Sequence, residues 1–335
     1  MELNDFWFIL VAVLWIGYFF LEGFDFGVGM LLHPIGRSND DRRVMINTIG
    51  PVWDANEVWL LTAGGAMFAA FPFWYATLFS GFYLPLFLIL VALIFRAVAF
   101  EFRGKVDTER WRMGWDLAIA FGSWVPAVLW GVAFANIIAG VPINAEGNYT
   151  GNLFTLLNPF GLLGGVAVAS LFAMHGAQFL ALKTDGDIRT RANKYAGPLG
   201  IVAIVAGGTF LLWNQLARGN GWTWIAVVVA AGALIGAVIA NRLGLEGWAF
   251  AASGLAIATA VIALFGSLYP DVMVSSTDPA FSLTVDNASS TPYTLRVMSV
   301  VALAMTPVVI GYQAWTYWVF RKRIRRSNLP PVHVP

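Results

Sequence analysis

The sequence predicts an all-α, polytopic membrane protein with about nine transmembrane helices, and three observations support this: composition, long apolar runs and the placement of basic residues. Hydrophobic residues make up 59% of the chain and charged residues 12%, whereas soluble domains usually carry about 25% charged residues. The mean hydropathy is +0.71. A soluble globular protein is therefore excluded.

The predicted spans are apolar runs of about 20 residues, the length that crosses the hydrocarbon core of a bilayer. We expect the second run to continue back to Asp40 as an interfacial turn. The runs cover residues 6–32, 50–71, 78–102, 115–140, 160–182, 197–216, 222–241, 247–268 and 294–320.

Nearly all Lys and Arg residues lie in the loops after odd-numbered runs and in the C-terminal tail, whereas the opposite loops hold only Arg218 and Arg296. Basic loops face the cytoplasm in membrane proteins. The N-terminus is therefore predicted outside and the C-terminus inside. The first segment is acidic and lacks the basic start of a signal peptide, so the first run is expected to remain as a helix.

The runs suggest two four-helix bundles and one peripheral helix. A weak internal repeat supports this division, because a basic loop precedes a Gly-Pro pair both at Gly50 and at Gly197. The predicted segments are a first bundle with the acidic cluster (1–140), an outer loop (141–159), a second bundle (160–268), another outer loop (269–293), and the last helix with its basic cytoplasmic tail (294–335).

Carboxylates inside the apolar runs are the main functional signal. Glu22 and Asp25 are three residues apart and so share one helix face, although a carboxylate at the centre of a span costs about 2.5–3.5 kcal/mol on insertion scales. Gly23 and Gly27 form a small-residue pair that lets another helix approach closely. An acidic face is thus predicted beside a close-packing face.

The second and third runs add polar residues on the same predicted cytoplasmic side. Asp54 and Glu57 again lie three apart, Arg96 and Glu101 end the third run, and Trp53 adjoins the acids. These residues predict one cluster in the cytoplasmic half of the first bundle.

Three interpretations of this cluster remain open. Arg96 could neutralise one or two carboxylates and merely join helices, since buried ions normally find partners. The acids outnumber this deep cation, so the excess must be protonated, hydrated or paired with another chain. A cytoplasm-facing series of carboxylates is typical of a proton route, and a coupled-ion site in a transporter is the third interpretation.

Other chemistries are disfavoured. The chain has no cysteine, which excludes iron–sulfur clusters, thiolate-ligated haem and disulfides. It lacks a Walker-type phosphate loop and a basic stripe for nucleic acid. His175 is the single histidine clearly inside a run, so this chain cannot build a bis-histidine haem site, and we expect a hydrogen-bonded histidine of the bundle. No metal site is predicted.

Several longer motifs occur along the chain. They include Gly23-Phe24-Asp25-Phe26-Gly27-Val28-Gly29, Trp53-Asp54-Ala55-Asn56-Glu57-Val58-Trp59, Thr62-Ala63-Gly64-Gly65-Ala66, Gly122-Ser123-Trp124-Val125-Pro126 and Leu157-Asn158-Pro159-Phe160-Gly161. Together these motifs resemble subunit II of the cytochrome bd-type quinol oxidases, and the likeness extends over nearly the whole chain. The family often has Asp in place of Glu22 and Gln in place of Glu57.

The resemblance implies a haem-free subunit in a bacterial plasma membrane, with a partner subunit I that carries two haems b and haem d and oxidises quinol. The complex would reduce oxygen to water and generate a membrane potential. Acids matching Glu22, Asp25 and Asp54 would form a proton route from the cytoplasm, and Trp53, Glu57, Arg96 and Glu101 would tune or extend it. A structural quinone or lipid in this subunit and small accessory subunits stay open.

The alternatives are a proton-coupled secondary transporter and an inert scaffold. Transporters usually show interrupted helices in corresponding positions of both halves. Here the acids inside the apolar runs are confined to the first half of the chain, which favours the oxidase subunit.

Overall fold

The computed structural model describes residues 2–329, and most of them are helical. Eight helices in this part of the chain are long and apolar enough to cross a membrane. The helices are α1 (Leu3–Met30), α2 (Leu32–Ile35), α3 (Asn39–Ile49), α4 (Trp53–Ala70), α5 (Pro72–Gly81), α6 (Tyr83–Phe102), α7 (Glu109–Ala139), α8 (Leu153–Leu156), α9 (Pro159–Lys183), α10 (Gly186–Arg218), α11 (Thr223–Arg242), α12 (Glu246–Leu268) and α13 (Pro292–Val319). A short antiparallel pair, β1 (Asp271–Met273) and β2 (Leu283–Thr284), and two 3-10 turns, Pro279–Phe281 and Arg326–Asn328, complete the secondary structure.

The second predicted span differs most from the structure. Its continuation back to Asp40 is wrong, because α3 is a separate helix that ends at Ile49, and α4 starts after the Gly50-Pro51-Val52 break. Pro51 has no backbone N–H to continue a helical ladder. The polar first turns of α4 also lower its hydropathy, so α4 is not among the eight apolar spans described above.

The third predicted span is also divided. The chain leaves helical geometry at Phe82, between α5 and α6. With 10 residues, α5 is too short to cross a bilayer, which takes about 20. The apolar run at 78–102 therefore joined the end of one short helix to the true span.

Helix α1 lies at the centre, where it packs against α4, α7, α9 and α12. The predicted close approach at its glycines is confirmed. A methyl group placed on Gly27 would lie 2.1 Å from the Phe172 carbonyl oxygen and 2.7 Å from the Gly176 Cα of α9, and one on Gly23 would lie 2.9 Å from the Phe172 ring. Helices α1 and α9 belong to different predicted four-helix units, yet they pack closely, so their contact does not separate the two units. The division at 1–140 and 160–268 therefore stays a prediction.

The two long loops join at one end of the bundle. Val141 N–H donates to Val274 O (3.0 Å), and Ser276 N–H donates back to Val141 O (2.9 Å). Ser275 Oγ donates to Ile143 O at 3.1 Å. The segments 141–159 and 269–293 therefore share backbone hydrogen bonds over the helix ends, and their outward orientation stays a prediction.

Ion pairs gather the basic loops at the other end. Asp41 of α3 accepts from Arg191 of α10 (2.7 Å) and from Arg326 of the tail (2.6 Å). Glu246 of α12 likewise accepts from Arg189 (2.6 Å) and Arg323 (3.1 Å). The loops that were predicted to share the cytoplasmic side thus lie together.

Asp185, in the turn between α9 and α10, adds a third anchor for the tail. The pKa of its carboxyl lies below its usual value, first because Gly186 N–H donates to it (2.9 Å) and also because Arg325 lies 2.9 Å away. The tail is therefore attached to the α9–α10 turn as well as to α3 and α12. Residues 330–335, including His333 of the predicted tail, lie outside the described residues.

Helix α13 is peripheral, as predicted, because only 6% of its most apolar window is buried. Near its start, Trp7 Nε1 of α1 donates to Leu295 O (3.3 Å) and Ser299 Oγ (3.1 Å). After its end, Ile324 N–H donates to Lys183 O (2.8 Å). Polar contacts therefore hold both ends of a helix that buries little surface.

Replacing Gly27 with Ala should lower the thermal stability of the protein, because the added methyl group would force α1 and α9 apart. Overpacking of this kind costs about 1–3 kcal/mol. Thermal unfolding of the purified protein measures the effect. In the matched control Gly232→Ala on α11, nothing lies within 4 Å of the added methyl group, so stability should be unchanged or slightly higher. Equal stability of Gly27→Ala and the unmodified protein would contradict the close approach.

Candidate functional site

Helices α1, α4 and α6 bring four charged side chains together inside the bundle. Glu22 and Asp25 of α1 and Arg96 of α6 are 0% exposed, and the side chain of Glu57 on α4 is 20% exposed. We call these four residues the buried charge cluster. Three of its members are acids and one is a base, so the predicted excess of carboxylates is present in the structure.

Arg96 is the cation at the centre of this cluster. Its Nη1 donates to Glu22 Oε2 at 2.9 Å and lies 3.8 Å from Glu57 Oε2. The guanidinium also lies over the rings of Phe26 (4.8 Å) and Phe100 (5.4 Å), an arrangement in which a cation is attracted by the aromatic ring. The pairing of Arg96 with Glu22 therefore agrees with the first sequence interpretation, in which Arg96 neutralises a carboxylate and joins two helices.

Gly122 allows α7 to pack directly against the base of the Arg96 side chain. A methyl group at Gly122 would lie 2.4 Å from the Arg96 Cβ and 2.5 Å from the Ala92 carbonyl oxygen. The absent side chain lets the α6 and α7 backbones meet directly at this level. Arg96 is thus held against α7 while its guanidinium extends toward α1 and α4.

Asp25 has a different environment from Glu22. Asn56 of α4 donates from Nδ2 to Asp25 Oδ2 at 2.7 Å, and no cation in residues 2–329 lies within 4.0 Å of its carboxyl as an ion-pair partner. Asp25 Oδ1 and Glu22 Oε1 accept no hydrogen bond from the described residues. One acid therefore pairs with arginine, and the other is held by a neutral amide.

Asp54, Glu101 and Trp53 lie around the cluster rather than inside it. Asp54 is exposed at the first turn of α4, where its carboxylate accepts from Ala55 N–H (2.7 Å). Glu101 is also exposed, since five residues separate it from Arg96 and place it on another face of α6. The Trp53 ring lies 5.1 Å from that of Phe100, so it contacts a residue that covers Arg96. Their functional roles stay predictions.

Three polar residues of the site were missed from the sequence. Asn56 Oδ1 accepts from Tyr317 OH (2.7 Å) and Gln313 Nε2 (3.2 Å), both of α13. Their signal was present, because Asn56 lies between Asp54 and Glu57 and Gln313 interrupts an apolar run. The prediction of one cluster within the first bundle did not include these side chains of the last helix.

His175 is the hydrogen-bonded histidine that was expected. It is 0% exposed, Nδ1 lies 2.6 Å from Ser253 Oγ, and Nε2 lies 3.3 Å from Phe20 O. Its ring stacks on Phe250 at a centroid distance of 4.5 Å. Both ring nitrogens have polar partners in the bundle.

This geometry places a buried, acid-rich group at the level of the Gly-Phe-Asp-Phe-Gly and Trp-Asp-Ala-Asn motifs, which carry the family resemblance stated from the sequence. Residues 3–320 match the family described as Cytochrome bd terminal oxidase subunit II. The chain belongs to this family. It is a membrane-spanning subunit of a respiratory terminal oxidase, and the apolar helices and the bacterial relatives identify a multi-pass bacterial membrane protein.

Relatives of known name are similar over nearly their full length. The chain is 48% identical to cytochrome bd ubiquinol oxidase subunit 2 of Bacillus subtilis (strain 168), covering 98% of each chain. It is 38% identical to cytochrome bd-I ubiquinol oxidase subunit 2 of Escherichia coli (strain K12), covering 96% of this chain and 95% of the relative. The resemblance stated from the sequence motifs is confirmed.

A solved bd oxidase from Geobacillus thermodenitrificans contains a chain with the same fold. The two chains superpose with a TM-score of 0.77 at 17% identity, covering 96% of this chain and 99% of that one. The predicted all-helical membrane fold is therefore confirmed.

Replacing Arg96 with Leu should destabilise the subunit, because Glu22 would remain buried without its cation. Removal of one member of a buried ion pair costs about 3–5 kcal/mol. Thermal unfolding and the yield of purified oxidase measure the loss. The double variant Arg96→Leu/Glu22→Gln should recover part of it, since no unpaired charge then remains at that position. Equal losses in the single and double variants would contradict the pairing.

Proposed function

We propose that this subunit assembles with a haem-bearing subunit I and conducts protons from the cytoplasmic side toward the haems that reduce oxygen. The observation that carries the proposal is the buried charge cluster, in which Asp25 is fully buried and has no cationic partner within ion-pair distance among the described residues. Intramembrane acids that face the interior of a helix bundle are typical of proton relays.

The proposed route uses three acids at different depths, namely Asp54, Glu22 and Asp25. Asp54 is exposed at the first turn of α4, next to the end of the molecule where the basic loops gather, and Glu57 follows one helical turn later. Glu22 and Asp25 lie deeper on α1 and are 0% exposed. Asp54 would receive protons from water, and Glu22 and Asp25 would pass them inward, with Arg96 orienting Glu22.

We place the haems of the complex, two haems b and haem d, in subunit I, where quinol is oxidised and oxygen is reduced. Support in this chain comes from His175, since both of its ring nitrogens lie within hydrogen-bond distance of other groups. This subunit would do no redox chemistry alone. Uptake of protons on the cytoplasmic side and their release outside at quinol oxidation would generate a membrane potential. The transporter alternative has no specific observation in its favour.

Gentle purification of the tagged chain from its membrane should yield a complex with a haem-bearing partner. The expected result is an absorption spectrum that contains the long-wavelength band of haem d. A colourless, isolated chain would contradict the oxidase assembly.

Replacing Asp25 with Asn should lower oxygen consumption while leaving the haem spectrum unchanged, because an amide cannot take up and release a proton. Acid–base groups typically contribute about 100-fold or more to a proton-transfer step, so we expect a loss of about ten-fold or more in a multi-step turnover. Oxygen uptake with quinol as donor measures it. The matched control is Glu146→Gln, a change at an exposed loop carboxylate, which should be neutral. Normal turnover of Asp25→Asn would remove Asp25 from the route.

A further inference from the structure

A series of side-chain hydrogen bonds connects the peripheral helix α13 to Asp25. Trp59 Nε1 donates to Gln313 Oε1 (2.8 Å), Gln313 Nε2 donates to Asn56 Oδ1 (3.2 Å), and Asn56 Nδ2 donates to Asp25 Oδ2 (2.7 Å). We call Trp59, Gln313, Asn56 and Asp25 the amide chain. It leaves α4, passes through α13, returns to α4 and ends on α1.

The direction of this chain follows from the chemistry of its first member. The indole N–H of Trp59 can only donate, so Gln313 must turn its oxygen toward Trp59 and its NH2 group toward Asn56. Asn56 must then present its oxygen to Gln313 and its NH2 group to Asp25. Tyr317 OH donates to the same Asn56 oxygen at 2.7 Å and stabilises this orientation.

Trp59 and Asn56 of the amide chain are both enclosed by packing. A methyl group at Gly17 of α1 would lie 2.1 Å from the Trp59 ring, so the missing side chain creates the space in which Trp59 lies. Asn56 is 0% exposed. The Tyr317 ring meets Phe24 of α1 edge-on at 6.5 Å. Small changes in the position of α13 would therefore change the hydrogen bonds that Gln313 and Tyr317 donate to Asn56.

Helix α13 has few other means of fixing its rotation. Its most apolar window is 6% buried, and apolar contact adds little to helix association when lipid is equally apolar, whereas interhelical hydrogen bonds contribute. Gln313 and Tyr317 are four residues apart and so face the same neighbour. These two side chains align the face of α13 with Asn56.

The amide chain distinguishes the two oxygens of Asp25. Oδ2 accepts from Asn56, whereas Oδ1 accepts no hydrogen bond from the described residues. Asn56 itself donates through an amide nitrogen, which is not a base, so it cannot pass a proton onward. Its role toward Asp25 is therefore to orient the carboxyl group.

We propose that α13 positions Asp25 through this amide chain, so that Oδ2 remains the acceptor of Asn56 and Oδ1 is the oxygen that exchanges protons. On proton uptake, the O–H bond of the donor on the Asp54 side breaks as the O–H bond at Oδ1 forms. On release, the bond at Oδ1 breaks and the proton passes toward subunit I. Asn56, Gln313 and Tyr317 are thus positioning residues of the proton route. The proton assignment to Oδ1 rests on the function proposed above, whereas the amide chain is independent of it.

The first test measures turnover of the complete oxidase, co-expressed with its subunit I, at matched haem content. Asn56→Leu should lower oxygen consumption about ten-fold, as expected for the loss of a hydrogen bond to an ionisable group. Gln313→Leu should lower it less, and should have no further effect when Asn56→Leu is already present, because both act through Asn56. Tyr317→Phe removes the second donor to Asn56 Oδ1 and should also lower oxygen consumption. Its control is Tyr312→Phe, at a tyrosine that is 64% exposed on the same helix, which should be neutral. Additive losses would overturn the proposal.

The second test observes the Asp25 carboxyl directly by infrared difference spectroscopy of the same oxidase, with the band assigned by its loss in Asp25→Asn. The band should shift in Asn56→Leu and also in Gln313→Leu, although Gln313 does not touch Asp25. It should stay in place in Tyr312→Phe. An unshifted band in Gln313→Leu would overturn the amide chain. Unchanged turnover in Asp25→Asn would instead overturn the proposed function, and with it the proton assignment to Oδ1.

Discussion

The pairing of Arg96 with Glu22 inside the membrane-spanning bundle is the constraint on which the rest of the site depends. A guanidinium that is 0% exposed requires partners, because the desolvation of an unpaired ion is very unfavourable. Glu22 supplies a hydrogen-bonded carboxylate at 2.9 Å, and Phe26 and Phe100 supply aromatic faces. Helices α1 and α6 must therefore meet at one level and in one rotation, and Asp25 lies on the same face of α1 as Glu22.

The acids of the cluster differ in their partners. Glu22 pairs with Arg96 at 2.9 Å, and Glu57 approaches the same cation at 3.8 Å from a partly exposed position. Asp25 instead accepts from Asn56 at 2.7 Å, and a neutral amide does not stabilise a charge as strongly as a cation does. Asp25 is therefore the acid to which we assign the change of protonation state in the proposed route, and α13 provides the side chains that orient its hydrogen-bond partner Asn56.

The surrounding scaffold holds this site by contacts of two kinds. Inside the bundle, Gly27 and Gly176 allow the backbones of α1 and α9 to touch. At the basic end, Asp41 and Glu246 each bind arginines from a helix and from the tail. The tail follows directly after α13, so these ion pairs also limit how far the helix that carries Gln313 can move.

The sequence by itself determined the helical membrane fold, the gathering of basic loops, the close approach at Gly27 and the family, because apolar length, charge and small-residue spacing are local properties. It also placed Glu22 and Asp25 on one face. Only the tertiary structure decided that Asp54 and Glu101 lie outside the buried group, and that Gln313 reaches Asn56 across 257 positions of the chain. Spacing specifies which residues share a face of one helix, whereas the rotation of that helix against its neighbours is set by packing among all of them.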